Sequence, residues 1–341
     1  MKRILFIHAG PPKTGSTAIQ KFFSGNAEAF AQIGIYWPKA GTELKAHNHL
    51  ALSNAFRPGQ EDHDLLAILA KELTDRGRPG RVLISAEQFG TRMSHPQYLK
   101  NVCLYCEILG YDLHVIAYIR PQPALLNSLF AQNAKNWKPL PVFDKFLQRE
   151  VHSGRHDNNN LFAPLLESRT VRYTPRPYTR QLLQRDITSD FCEILGLAPQ
   201  ATAGFVPPEM ANVVPGPKTV EAFLRLRRRI AAQIPAVDPD KMTALTWPFI
   251  RAAGALGWND QKFWGITPSG HAALASHFSK SNDRFAERVW AKPWQQIFAD
   301  DDPAPPTSNV FQPAKADPAE LSEFKDFITQ SMEVIRKLAG M

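Results

Sequence analysis

The residues best suited to chemistry lie in a short loop near the start of the sequence. Gly10 and Gly15 stand five positions apart. Lys13 lies between them, and Ser16 and Thr17 follow the second glycine. Glycines let the backbone turn so that successive N–H groups face one anion, and a helix that begins here adds its positive end. With an ammonium and two hydroxyls as further donors, the loop predicts an oxyanion site.

The order of these residues differs from that of a nucleoside triphosphatase P-loop. That pattern reads GxxxxGK[ST], with lysine directly after the second glycine. Here position 16 is serine, and Lys13 precedes Gly15. The apolar run RVLIS (81–85) leads into Glu87, and no strand clearly ends in a carboxylate that would bind magnesium. The sequence therefore predicts phosphate binding without a metal.

A second anion site is indicated further along the chain. In LHVIAYIRPQPALLNS, Arg120 follows an apolar strand and Ser128 stands eight residues later. The planar guanidinium suits phosphate, and the serine could face the same ligand if the first residues after the strand are not yet helical. Alone, each residue is more typical of a surface ion pair or a solvated helix face. Their spacing favours the anion site.

The elements that must position these residues are short apolar strands that alternate with helices. Strands are predicted at 3–8, 81–85, 113–119 and 170–178, and helices at 18–33, 62–76, 96–109, 123–135 and 187–195. This alternation predicts an α/β fold with a mostly parallel central sheet flanked by helices. Ligands of such sheets bind beyond the carboxyl ends of the strands. We therefore expect the glycine loop, Glu87 and Arg120 to converge.

The rest of the chain is predicted to be largely helical. Residues 205–300 are rich in proline and tryptophan and complete a domain over 1–300. Residues 301–318 have the composition of a linker, and 319–341 form a final amphipathic helix. The three cysteines do not indicate a disulfide framework.

The glycine loop resembles that of a known enzyme family. Its residues are Pro12, Lys13, Thr14, Gly15, Ser16 and Thr17. They resemble the 5′-phosphosulfate loop of sulfotransferases that use 3′-phosphoadenosine 5′-phosphosulfate (PAPS). The resemblance implies a P-loop NTPase-like sulfotransferase fold, PAPS as co-substrate, and a lysine that contacts the transferring sulfonate and the bridging oxygen. It also implies that Arg120 and Ser128 bind the 3′-phosphate.

The same resemblance supplies candidates for the general base. Ser85-Ala86-Glu87-Gln88-Phe89 resembles the Ser-Ser-Glu-x-Phe segment of glycan sulfotransferases, where the glutamate is the base. A solvated or salt-bridged loop glutamate is the alternative. Histidine is the base in the aryl and steroid branch of the family, so His8, His47 and His49 are rivals. His47 and His49 are also candidates for the acceptor pocket.

Two further segments are compared with the family. Arg176-Pro177-Tyr178-Thr179-Arg180 loosely resembles a Tyr-Glu segment whose tyrosine lies near adenine, which would place Tyr178 at the cofactor. Threonine stands where glutamate is usual, so a core role for Tyr178 stays open. The Arg-Lys-Gly-x-x-Gly segment of the cytosolic branch is absent, and residues 278–290 are its candidate replacement.

The charge balance favours anionic partners. The 341 residues include 40 Lys and Arg against 32 Asp and Glu, a net charge of +8. The basic run LRLRRR (224–229) predicts a solvated helix face, with an acidic glycan or lipid headgroup site as the alternative. It lacks interleaved aromatic residues, so nucleic-acid binding is not supported.

No apolar stretch of about 18 residues and no signal-peptide core is found, which predicts a cytoplasmic protein and leaves peripheral membrane contact open. The favoured function is transfer of a sulfuryl group to a hydroxyl or amine, with a glycan or glycolipid as the acceptor class. A P-loop nucleotide-dependent kinase and a non-catalytic nucleotide-binding protein are the alternatives.

Overall fold

The central element of the fold is a parallel β-sheet. The computed structural model describes residues 2–42, 47–208, 214–234, 237–299 and 307–340. Within them the sheet has four strands in the order β2-β1-β3-β4, namely β1 (Arg3–His8), β2 (Arg81–Ser85), β3 (Tyr111–Ile119) and β4 (Arg172–Pro177). The predicted α/β class with a parallel sheet flanked by helices is confirmed.

Helices make up most of the remaining described chain. They are α1 (Ser16–Gly25), α2 (Ala27–Gln32), α3 (Leu50–Ala55), α4 (His63–Asp75), α5 (Gln88–Arg92), α6 (Pro96–Leu109), α7 (Gln122–Lys135), α8 (Phe143–His152), α9 (Asn158–Glu167), α10 (Arg180–Arg185), α11 (Ile187–Ile194), α12 (Pro217–Gln233), α13 (Pro239–Ala255), α14 (Pro268–Trp290), α15 (Trp294–Ile297) and α16 (Pro318–Ala339). No helix in the described ranges is both long and apolar enough to cross a membrane.

The chain forms two units, whereas the sequence predicts one domain over 1–300. The first unit consists of Met1–Pro121, Gly154–Met210 and Phe278–Pro303, and the second of Gln122–Ser153, Ala211–His277 and Ala304–Met341. The first unit contains the sheet. In the second, α12 packs against α7 and α16, which gives this unit a helical core of its own.

The predicted linker and final helix differ from the structure in detail. Residues 301–306 of the linker lie outside the described residues. Part of the remainder is fixed in the second unit, because the main-chain N–H of Asn309 donates to the carbonyl of Trp264 at 2.9 Å. The final helix begins at Pro318, one residue before the predicted start.

β1 is apolar from Ile4 to Ile7 because both of its faces are covered. Leu5 and Ile7 belong to one buried cluster, and Phe6 belongs to a second cluster. Successive side chains of a strand point to opposite faces, so a strand covered on both sides needs apolar residues at consecutive positions. β1 also lies between β2 and β3. Its carboxyl end, where the glycine loop starts, is therefore held on two sides.

The single helix predicted over 18–33 is two helices in the structure. The break lies at Asn26, whose Nδ2 donates to the carbonyls of Phe22 at 2.8 Å and Val206 at 2.9 Å. Its Oδ1 accepts from the N–H of Val206 at 2.9 Å. Asn26 thus serves as the C-cap of α1 and as an anchor for a distant segment, which accounts for the interruption.

Both margins of the sheet make contacts beyond its four strands. At the outer side of β2, the N–H of Tyr36 donates to the Arg81 carbonyl and the N–H of Leu83 donates to the Tyr36 carbonyl, each at 2.9 Å. At β4, the indole N–H of Trp290 donates to the Pro175 carbonyl at 2.9 Å. These contacts tie flanking chain to the two outermost strands.

Candidate functional site

The glycine loop connects β1 to α1 and turns sharply. Lys13 and Gly15 have positive φ angles of 70° and 79°, and Gly15 is the N-cap residue of α1. The positive φ favours glycine at position 15, and a Cβ atom there would also lie 2.4 Å from Cδ1 of Ile187, which would have to shift. Thr14 is fully buried and donates from its hydroxyl to the Pro11 carbonyl at 2.7 Å. The loop is therefore held in its turn before any ligand binds.

Ser16 is the first residue of α1. Its side chain is buried, with 2% of the residue exposed, and its Oγ has no hydrogen-bond partner among the described residues. Buried hydroxyls normally have a partner. The Ser16 hydroxyl lies at the positive end of a ten-residue helix. A bound oxyanion would complete the hydrogen bonding of Ser16. Thr17, on the same turn, is exposed, and Pro12 is half-buried.

Glu87 lies two residues beyond β2, at the N-cap position of α5, and is half-buried. Burial raises the pKa of its carboxyl group, while the Ser16 hydroxyl and the Lys13 ammonium act in the opposite direction. Ser16 is close enough for this effect, although its Oγ does not reach hydrogen-bond geometry with Glu87. The carboxylate, the lysine and the hydroxyl are thus neighbours. A carboxyl group with a raised pKa is a better proton acceptor near neutral pH.

Gly90 allows α5 to approach the end of β1. A Cβ atom at this position would lie only 2.4 Å from the carbonyl oxygen of Ala9. The close approach brings Glu87 beside the glycine loop. The sequence reasoning did not select Gly90, because the contact partner, the Ala9 carbonyl, lies about 80 residues away in sequence.

Arg120 and Tyr178 complete the cluster from β3 and β4. Nη1 of Arg120 donates to the carbonyl oxygen of Lys13 at 3.0 Å, and its Cζ lies 5.7 Å from the centre of the Tyr178 ring. The N–H of Tyr178 donates to the Ile119 carbonyl at 2.7 Å, which fixes the residue at the end of the sheet. Burial raises the pKa of the Tyr178 hydroxyl, and the charge of Arg120 lowers it. Residues from the ends of all four strands therefore meet in the first unit.

Ser128 lies on α7, in the second unit, and is half-buried. The assignment of Arg120 and Ser128 to one phosphate therefore stays a prediction from their spacing.

His8 lies under the glycine loop. It is buried, and burial lowers its pKa to about 3. Its Nδ1 lies 2.8 Å from the hydroxyl of Ser85, which also accepts from Nε2 of Gln20 at 3.2 Å. A neutral imidazole of such low basicity is a weak proton acceptor. The geometry favours a structural role for His8 between β1 and β2.

His49 and His47 differ in their surroundings. His49 is fully buried; its Nδ1 accepts from the Ser85 N–H at 3.1 Å, and its Nε2 donates to the Pro38 carbonyl at 3.0 Å. Burial lowers the pKa of His49 to about 4. Both ring nitrogens are thus engaged, Nδ1 with the end of β2 and Nε2 with the chain at Pro38. His47 is half-buried, and its Nδ1 lies 2.9 Å from the Ser24 hydroxyl. Acceptor binding by either histidine stays a prediction.

The described residues contain no group of three or more His, Cys, Asp or Glu side chains that could hold a metal ion. Cys103 and Cys106 lie on α6, and burial raises the pKa of both thiols. Raised pKa values disfavour the thiolate, which is the form that binds metals.

No protein-family model matches the chain. No curated protein matches it either. Solved structures to which it is similar include the sulfotransferase from Alicyclobacillus acidocaldarius, at 13% identity and a TM-score of 0.38, covering 70% of this chain and 98% of that chain. The sulfotransferase domain from the curacin biosynthetic pathway is 13% identical, with a TM-score of 0.34 and coverage of 62% and 79%.

A structure of the PezAT chromosomal toxin-antitoxin system of Streptococcus pneumoniae is 14% identical, with a TM-score of 0.27 and coverage of 66% and 87%. TM-scores this low carry no argument about the activity of this chain.

Proposed function

We propose that this protein is a sulfotransferase that moves a sulfuryl group from PAPS to a hydroxyl or amine acceptor. The observation that carries the proposal is the meeting of Lys13, Ser16, Glu87, Arg120 and Tyr178 at the carboxyl ends of the strands. A proton acceptor therefore lies beside a cationic loop with an unsatisfied buried hydroxyl. That combination suits transfer of an anionic group better than simple phosphate binding.

The cofactor site of the proposal consists of the loop Pro12–Thr17 with Arg120 and Tyr178, and Ser128 is a further candidate on its sequence spacing alone. The unpartnered Oγ of Ser16 supports an oxyanion at the start of α1. Arg120 carries several donors in a planar fork that suits phosphate, and its Nη1 donates to the Lys13 carbonyl. The ring of Tyr178, close to Gly15 and Arg120, supplies an apolar surface for a purine.

In the proposed reaction the acceptor oxygen or nitrogen attacks sulfur while the bond from sulfur to the 5′-phosphate oxygen breaks. The acceptor proton moves to the Glu87 carboxylate, and the electron pair of the broken bond stays on the phosphate. Lys13 and the N–H groups at the start of α1 stabilise that charge. The raised pKa of Glu87 and its nearness to Lys13 support these roles. A glycan or glycolipid acceptor rests only on the resemblance of residues 85–89.

Calorimetry with the product 3′,5′-adenosine bisphosphate tests the cofactor assignment. We expect saturable binding without magnesium. Arg120→Ala should weaken it by roughly 1.5–3 kcal/mol, the value of a charge-assisted hydrogen bond. Arg172→Ala is the matched control, since Arg172 is exposed at the opposite end of β4. A folded protein that does not bind the bisphosphate refutes the assignment.

The alternatives give different results in the same assay. A P-loop kinase should bind ADP only with magnesium and should ignore the 3′-phosphate. A non-catalytic protein should bind the bisphosphate but never transfer label from ³⁵S-PAPS to any hydroxyl or amine acceptor. For a sulfotransferase, Lys13→Ala should abolish transfer. Glu87→Gln should lower it while cofactor affinity is kept, and Glu107→Gln, at an exposed site on α6, should do neither.

A further inference from the structure

The second unit contains two adjoining cavities that the proposed sulfuryl transfer does not use. Their volumes are about 150 Å³ and about 340 Å³, and Leu224 and Arg228 of α12 line both. These two residues are four positions apart and therefore lie on one face of the helix. They belong to the basic run 224–229, to which the proposed function gives no role.

The first cavity is lined mostly by apolar side chains, several of them aromatic. Its lining includes Phe130, Phe143, Val220, Leu224 and Phe263. The rings of Phe130 and Phe143 pack edge to face with centroids 4.9 Å apart, and Phe263 stacks 5.7 Å from Phe130. An engineered apolar cavity of about 150 Å³ in another protein stays dry and binds benzene. A hydrocarbon group of comparable size therefore suits this cavity.

One wall of the cavity is held in place by side-chain amides. Nδ2 of Asn127 donates to the Phe263 carbonyl at 2.9 Å, and its Oδ1 accepts from the Gly265 N–H at 2.8 Å. From the other side, Asn309 exchanges two hydrogen bonds with the main chain of Trp264, at 2.8 and 2.9 Å. The wall is thus formed without a ligand, which lowers the entropy that binding would cost.

The second cavity is lined by cationic side chains, one of which also lines the first cavity. Lys138, Arg227 and Arg228 line it. Among the described residues, neither Lys138 nor Arg228 forms an ion pair. Glu221 also lines the first cavity, but its carboxylate is paired with Arg225 at 2.7 Å. Within the described part of the chain, the positive charges of Lys138 and Arg228 are therefore not paired with a carboxylate.

We propose that the two cavities bind a single-chain amphiphile with an anionic headgroup. The tail occupies the first cavity, and Lys138 and Arg228 bind the headgroup. A small inorganic anion gains nothing from the aromatic walls, and a neutral hydrocarbon gains nothing from the unpaired cations. Only a ligand with both parts uses the whole lining.

Calorimetry of the full chain with octanoate tests this proposal without PAPS, so the result does not depend on sulfuryl transfer. We expect saturable binding that weakens by about fourfold for each methylene removed from the chain. Octyltrimethylammonium, with the same tail and a positive headgroup, should not bind. Equal binding of the two amphiphiles, or no binding of octanoate, overturns the proposal.

Two pairs of variants separate the site from the general charge of the protein. Arg228→Ala should weaken octanoate binding by about 1.5-fold to fivefold. Arg229→Ala removes the same charge from an exposed position that lines neither cavity and should leave binding unchanged. Val142 lines the first cavity and is 55% exposed, so substitutions there should fold. Val142→Glu should weaken binding more than Val142→Gln does. Equal effects within either pair refute the site.

Discussion

Replacing Gly90 with alanine should separate Glu87 from the glycine loop. The added Cβ atom would lie 2.4 Å from the carbonyl oxygen of Ala9, whereas ordinary contact begins at 3.4 Å. One of the two segments must therefore move by about 1 Å, a shift of the size by which misplaced reacting groups lose activity.

α5 is the segment expected to move. Ala9 follows β1, which is paired on both sides, and its N–H donates to the Ile116 carbonyl at 2.8 Å. α5 has only five residues, and Glu87 stands at its N-cap position. We expect a loss of about 1–3 kcal/mol in the free energy of unfolding, as for overpacked sites. The proposed sulfuryl transfer should fall by about 100-fold, because a 1 Å misplacement can cost that much.

Three measurements check this prediction together. Thermal melting measures the stability. Calorimetry with 3′,5′-adenosine bisphosphate shows whether the glycine loop still binds its ligand, and transfer from ³⁵S-PAPS shows whether Glu87 is still correctly placed. Gly25→Ala is the control, because a Cβ atom there has nothing within 4 Å. The bisphosphate affinity should stay close to that of the unchanged protein. If Gly90→Ala melts and transfers like Gly25→Ala, the close contact between α5 and the end of β1 is refuted.

Further predictions concern buried polar groups of the first unit. Because burial raises the pKa of Glu87 in the folded state, the free energy of unfolding should fall as the pH rises through that pKa. Glu87→Gln should therefore melt at a higher temperature than the unchanged protein at pH 8, and the difference should be gone near about pH 4. A difference that does not vary with pH contradicts this prediction. His49→Ala leaves the Ser85 N–H and the Pro38 carbonyl without their hydrogen-bond partner, and it should lower the free energy of unfolding in urea by about 2–4 kcal/mol. The control His63→Ala, at an exposed position, should lower it by no more than about 0.5 kcal/mol. Equal losses for the two variants contradict the buried bridge. Asp190→Asn weakens the hydrogen bonds from Tyr118 and Arg176 and should lower the free energy of unfolding by about 1–3 kcal/mol in the same assay. Asp75→Asn, which removes a charge from an exposed ion pair, should lower it by less than about 1 kcal/mol. The reverse order of the two losses would refute the prediction.

The parts of the fold that depend on local pattern were predictable from the sequence. β2 and α6 have the predicted bounds, 81–85 and 96–109. Each is a run whose apolar spacing and flanking residues suffice to define it. The meeting of the glycine loop with Glu87 also followed from the sequence, since carboxyl ends of parallel strands share one edge of a sheet.

The parts that depend on distant contacts were not predictable. The break at Asn26 requires the main chain of Val206, 180 residues away in sequence. The engagement of both His49 nitrogens requires Ser85 and Pro38 to lie on either side of the ring. The division into two units likewise depends on how helices far apart in sequence pack. Apolar periodicity identifies a buried face but not the partner that covers it.

The contacts at the two margins of the sheet bear on self-association. An open strand edge is a template on which a strand of another molecule can add, and such addition leads to fibres. Here the main chain of Tyr36 is hydrogen-bonded to the outer side of β2, and the indole N–H of Trp290 donates to a carbonyl of β4. Pro175 and Pro177 of β4 have no N–H to offer an incoming strand. Polymerisation through this sheet is therefore hindered at both margins, so concentrated solutions of the folded protein should be slow to nucleate cross-strand aggregates.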